Sequence, residues 1–142
     1  MDLVVTVPKW FWPEWIEEGE LPGESIESDD GGWEFSVGWR KPPIVPGDRL
    51  YIVAHGRLRG YAPVTGLRRE CDEPDGKWCI VRRGGAVAVT IDETIVGFRG
   101  WRQRWWQRED EKPFPDWMTA GVPDNQVAEI EEVAEIKRAG KV

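Results

Sequence analysis

Histidine is nearly absent from this chain: His55 is the only one among 142 residues. One imidazole excludes a His-rich metal site, and no Ser-His-Asp set, phosphate loop or dinucleotide fingerprint accompanies it. His55 precedes Gly56, and His-Gly between two apolar runs reads as a turn rather than a catalyst. Cysteine is also sparse, with Cys71 and Cys79 placed symmetrically about Asp75. The two can oppose each other across a hairpin, as a disulfide or as the reduced pair usual inside cells. Without His partners their spacing does not define a zinc site. No apolar run approaches the ~20 residues of a membrane-spanning helix. Met1 to Pro8 has no basic leader and too short an apolar stretch for a signal peptide. The expectation is a soluble, cytoplasmic protein with no cofactor, no metal and no membrane contact.

Tryptophan is what the chain has in excess: ten, against two Tyr and four Phe. A chain of this length buries roughly two thirds of its unfolded surface, and each buried indole N–H needs a partner. Ten is more than a small core usually hides, so some are expected to line a cleft. Charge is unevenly placed. The formal total is −7, but residues 1–50 carry 4 basic and 11 acidic side chains, 51–108 carry 11 and 6, and 109–142 carry 4 and 9. The middle is therefore basic between acidic ends. Within it, Phe98 to Arg108 holds four Arg and three Trp and no acid. A local positive patch can bind an anion even on an acidic protein.

The periodicity predicts about six or seven short strands and little helix. Leu3–Val7 is a β-branched run closed by Pro8. Pro13–Glu18, ending at Gly19, fits a short helix with proline and acids in its first turn. Residues 20–32 read as loop. Trp33–Trp39 alternates apolar and polar residues. Leu50–Ala54, His55-Gly56 and Arg57–Val64 form a hairpin, with Pro63 near a strand end or on an edge. Leu67–Glu70 and Lys77–Arg82 flank a second turn. Ala86–Ile91 and Ile95–Phe98 are the last strands expected. Residues 109–123 are a Pro-rich acidic loop. Asp124 to Arg138 has helical apolar spacing, with Asp124 as N-cap and Gly140 past its end. The reading is a mainly β (α+β) domain over residues 1–108, the loop over 109–123, and a C-terminal helix and tail over 124–142.

Gly47-Asp48-Arg49-Leu50-Tyr51-Ile52, followed by Gly60-Tyr61-Ala62-Pro63-Val64, resembles the central hairpin of the PUA-like superfamily in its ASCH and EVE branches. Gly47 would allow a sharp approach and Gly60 a close backbone contact. The early helix ending in Gly19 also resembles the ASCH arrangement, and the resemblance covers roughly residues 3–98. It implies a PUA-like pseudo-β-barrel with a cleft that takes RNA or a modified base. Some ASCH members look like ribonucleases or amidohydrolases, with Gly-x-Lys-x-x-Glu-x-Arg after the helix. Here that stretch is Gly19-Glu20-Leu21-Pro22-Gly23-Glu24-Ser25-Ile26. Leu21 and Ile26 replace the Lys and Arg, and Glu24 alone keeps its place, as a candidate general base. Without the Lys cation the resemblance favours a binding module over an enzyme.

Three groups of residues are candidates for binding RNA or DNA. In the Arg99–Arg108 segment, Trp101, Trp105 or Trp106 can stack bases while Arg102, Arg104 and Arg108 hold phosphates. Equally, its Trp can pack inward with its Arg paired to Glu109-Asp110-Glu111, or the segment can be a protein interface. Trp10, Trp12, Trp15, Trp33 and Trp39 can form an aromatic cage for a flipped or modified base, or serve as core. Arg57 and Arg59 alternate along one strand, so both point to one face and can form a positive rim, or a solvated face, with Leu58 towards the core. The leading expectation is a nucleic-acid-binding module for single-stranded RNA or a modified base. The alternatives are a regulator that docks on a protein partner and a hydrolase using Glu24.

Overall fold

The computed structural model describes residues 1–18, 33–69 and 76–139. The expected loop over 20–32, with Glu24, and also Cys71, lie outside the described residues. Strand β1 (Leu3–Thr6) runs parallel to β3 (Arg49–Ala54), with Leu3 opposite Leu50, and antiparallel to β7 (Trp101–Gln103), with Leu3 opposite Gln103. A strand flanked on both sides and covered on both faces needs consecutive apolar residues, and Leu3, Val4 and Val5 are fully buried. Their alternation feeds two clusters. Leu3, Val5, Leu50, Ile52 and Ala54 face the larger core under the helices. Val4, Tyr51 and Val53 face a smaller one with Leu58, Ile91, Ile95 and Trp106.

After Pro8, a 3-10 turn at Lys9–Phe11 leads into helix α1 (Trp12–Glu18), which starts one residue before the expected position. Pro13 sits in its first turn, where no intrahelical N–H bond is lost. Strand β2 (Trp33–Gly38) pairs with β5 (Trp78–Arg82), and β5 with β4 (Arg57–Arg69). The sheet order is β2-β5-β4-β3-β1-β7, six strands curled into a half-barrel.

The β3–β4 hairpin forms where the sequence places it. His55 and Gly56 both take positive φ, 48° and 74°, the backbone of a tight two-residue turn. Strand β4 is longer than expected, 13 residues, because its first half pairs with β3 and its second with β5. Pro63 lies inside it rather than at an end or edge. It stands opposite Arg49, on the last rung shared with β3, where the change of partner makes a missing N–H least costly. A register shift also occurs near the turn: Ile52 faces Gly60 but Val53 faces Leu58, leaving Arg59 as the extra residue. Arg59 is 1% exposed, not part of a solvent rim. Arg57 and Arg59 do share a side, but it is roofed by Phe114, with the two guanidinium carbons 4.9 and 5.5 Å from its ring.

Gly60 makes the close contact expected of it. A Cβ there would meet the Val87 carbonyl oxygen at 2.5 Å, and Tyr61 and Val87 exchange backbone hydrogen bonds of 3.0 and 2.9 Å beside it. The Ala86–Ile91 stretch is correspondingly broken, into that single bridge and a two-residue strand β6 (Val89–Thr90). No strand covers Ile95–Phe98. Ile95 instead donates its N–H to Gly56 O and is buried, while the strand falls on Trp101–Gln103, beyond the positive-φ Gly100.

The acidic segment is not bare loop. It holds β8 (Lys112–Pro113), paired with β6, and it places Phe114, Trp117 and Val122 in the larger core. Helix α2 (Asp124–Ala139) adds Ile130 to that core and is tied to α1 by Lys137 Nζ, which donates to Ile16 O at 3.2 Å. His55 meets Gln126 of α2 across 3.0 Å. Among the described residues no helix is long and apolar enough to cross a membrane.

Candidate ligand-binding slot

Trp12 and Trp15 lie three apart on α1 and so share its inward face. Their rings stack at 5.4 Å and 14°, and Trp117 meets Trp12 edge-on at 5.8 Å. Trp12 is fully buried, and its Nε1–H donates to Met118 O at 2.9 Å, which fixes the ring against the 114–121 turn. Facing these indoles are Arg59 to Ala62 of β4, Arg82 of β5, and Ala86 and Val87. The space between them is a tight slot of ≈ 20 Å³, room for about one water, that opens to solvent. Arg82 is 3% exposed and its guanidinium lies 5.0 Å from the Trp15 ring centre. Trp15 is half-buried and forms the outer wall.

Arg59 sets the charge of the slot. Its Nε–H donates to Ala54 O at 2.9 Å, Nη1 to Trp117 O at 3.1 Å and Nη2 to His55 O at 3.5 Å. These acceptors are all neutral carbonyls, so the buried charge is solvated but not balanced. Burial and the neighbouring Arg57 push its pKa down to about 10. A guanidinium has five N–H groups, so two remain after these bonds. Among the described residues, no acidic one lines the slot.

The Arg/Trp segment is mostly held by acids from elsewhere. Asp2 Oδ2 accepts from Arg104 Nε at 3.2 Å and from Arg108 Nη2 at 2.8 Å, while its Oδ1 accepts from the Arg49 N–H at 3.0 Å. Burial opposes ionisation of Asp2, but the Arg49 N–H, Arg108 and Arg104 outweigh it and hold its pKa below the usual carboxylate value. Trp105 donates its indole N–H to Glu93, and Trp106 donates to Glu111. Arg102 is exposed, with its guanidinium 4.2 Å from the Phe98 ring centre. The Asp2 cluster makes an acid-lability prediction. A carboxylate whose folded pKa is depressed stabilises the fold above its unfolded pKa and stops doing so as pH falls through the folded value. Urea midpoints measured between about pH 6 and pH 2 are expected to fall in the acid limb, with a shallower fall in Asp2→Asn. An equal fall in both proteins would remove Asp2 as the cause.

Of the residues singled out in the sequence, Trp12 and Arg59 come together in the slot. Trp33 opens β2, and its side chain lies outside what the structure describes. Trp39 and Trp101 stand at the outer strands of the sheet, away from the slot. Arg57 flanks Phe114, and Arg102, Arg104 and Trp105 belong to the segment just described. Trp15 was legible only as one of five cage candidates. Trp117 and Arg82 were not singled out; the one available signal was an aromatic pair, Phe114 and Trp117, inside a stretch otherwise acidic. Among the described residues no cluster of His, Cys, Asp and Glu could hold a metal ion. Fold and slot together define a mainly β half-barrel domain with an indole-walled, guanidinium-bearing slot between α1 and the sheet. No protein-family model, curated protein or solved structure matches this chain.

Proposed function

We propose that the protein is a small nucleic-acid-binding module that takes a splayed-out base, plain or modified, of a single strand. The observation that carries this reading is the buried Arg59 guanidinium, held only by carbonyls and lining a slot walled by Trp12, Trp15 and Trp117. Indoles offer a flat, apolar face to a ring. Two remaining N–H groups on a fixed cation offer hydrogen bonds to an acceptor edge or an anionic oxygen. A base combines those two properties, and low dielectric in the slot strengthens the second. The slot as it stands holds about one water, so a ring enters by displacing the half-buried Trp15, which then becomes its stacking partner.

The test is fluorescence polarisation with labelled single-stranded RNA and DNA, with and without base methylation, between about 50 and 200 mM salt. Base–aromatic stacking contributes about 1–3 kcal/mol per base, so Trp15→Ala is expected to weaken binding by about 5- to 150-fold. Arg59→Lys keeps the charge but loses the fork, and is expected to reduce discrimination between probes. Failure of every probe to bind at low salt, or undiminished binding by Trp15→Ala, would overturn the reading.

A further inference from the structure

We infer that the open seam of the half-barrel carries a track for the backbone of a single-stranded nucleic acid, separate from the slot. The outer strands of the sheet are β2 and β7, and they approach each other at one end. Arg40, just past β2, places its guanidinium 4.3 Å from the ring centre of Trp101, the first residue of β7. The same end gathers the close of β4 and the start of β5, because Trp78 stands opposite both Gly38 and Arg69.

Cations and indoles alternate there. Lys41 Nζ lies 5.3 Å and the Arg69 guanidinium 4.4 Å from the Trp78 ring, and Lys77 Nζ lies 5.8 Å from that of Trp39. Trp39 is 67% exposed, which leaves ring surface for stacking. Among the described residues Arg40, Lys41 and Lys77 have no ion-pair partner, and Arg69 donates to a neutral acceptor, Gly76 O. In the Arg99–Arg108 segment, by contrast, Arg104 and Arg108 are neutralised by Asp2. Among the described residues the seam thus sets unneutralised cations beside indoles, whereas Asp2 takes up two of the four Arg in the Arg99–Arg108 segment. A single strand complements it on both counts, with phosphates for the cations and bases for Trp39.

Trp78, Ile80 and Arg82 alternate along one face of β5. Arg82 lines the slot and Trp78 belongs to the seam, so slot and track lie about 13 Å apart along the strand at ~3.3 Å per residue. One oligonucleotide that passes outside the buried Ile80 can engage both, and this inference rests on the nucleic-acid reading of the slot.

The experiment compares a mononucleotide with single strands of increasing length, on the wild type and on the triple variant Trp39→Ala/Lys41→Gln/Lys77→Gln. The changed side chains are surface ones, and an unchanged Tm confirms the fold. Wild type is expected to gain affinity with length. The variant is expected to lose that gain, keep mononucleotide affinity, and show a salt slope shallower by about 0.7 per phosphate contact removed. If the variant keeps the full length gain and slope while Trp15→Ala still weakens binding, the track is wrong and the slot stands. If no probe binds the wild type, both are wrong.

Discussion

Glu111→Ala is expected to lower the unfolding free energy by about 3–5 kcal/mol, the cost typical of breaking a buried charged network by removing one member. The Glu111 side chain is 5% exposed. Its Oε2 accepts from Tyr51 Oη at 2.6 Å and from Trp106 Nε1 at 2.9 Å, and its Oε1 lies 3.4 Å from Arg49 Nη1. Tyr51 is itself fully buried and packs edge-on against Trp106 at 5.1 Å. Burial, reinforced by the bond to Glu111, raises the Tyr51 pKa well above its ordinary value, so the phenol stays a donor through any ordinary pH range. Alanine at 111 leaves a buried hydroxyl and a buried indole N–H without acceptors and frees the 105–111 segment from β3. Urea unfolding is expected to show a lower midpoint at unchanged slope. Glu111→Gln retains an acceptor oxygen and is expected to lose only about 1–2 kcal/mol. Equal losses in the two variants would show that shape, not acceptor chemistry, holds this segment.

Gly60→Ala is the second large effect. The added Cβ would sit 2.5 Å from the Val87 carbonyl oxygen and 3.3 Å from Ala88 Cα, so backbone rather than a flexible side chain must move. Overpacking of this kind costs about 1–3 kcal/mol. Displacing Val87 also strains its two hydrogen bonds with Tyr61, each contributing about 0.5–1.5 kcal/mol. The expected total is about 3 kcal/mol, read as a fall in urea midpoint. Because Gly60, Ala86 and Val87 all line the slot, the variant is also expected to bind single strands more weakly at temperatures where it remains folded. Wild-type stability with lost binding would mean that the 86–88 segment shifts at no cost. Lost stability with wild-type binding would separate this segment from the slot.

These two sites show which parts of the molecule a linear reading reaches. The hairpin was legible because a His-Gly turn between apolar runs is a local signal, and Gly60 was legible because a strand glycine has few other uses. The C-terminal helix followed from apolar spacing together with its end signals, Asp124 at the start and Lys137 and Arg138 in the last turn. Arg59 was misplaced by what covers it: alternation puts it on one side with Arg57, as found, but the 114–117 turn roofs that side with Phe114 and caps the guanidinium with Trp117 O. Such a cover comes from more than 50 residues downstream, and nothing local encodes it. The Arg/Trp run misled differently. Its cations look available because the stretch contains no acid, yet Asp2 neutralises two of them from over 100 residues upstream. Lys41 and Lys77, dispersed in sequence, come together only because Gly38 and Arg69 both face Trp78. The identity of a slot or patch lies in such pairings, whereas the elements that build it lie in local pattern.

The position of β1 has a consequence in time rather than space. Leu3 pairs with both Leu50 and Gln103, so the first strand made gains its second neighbour only after residue 103 has been synthesised. At about 5–20 residues per second, that interval is roughly 5–20 s. Throughout it, a short β-branched segment has an unpaired edge, the kind of feature that recruits other chains. Sheet closure by such distant pairing is also intrinsically slow, on the order of milliseconds to seconds after release. The three-residue strand at Trp101–Gln103 thus sets the moment at which β1 ceases to be an open edge.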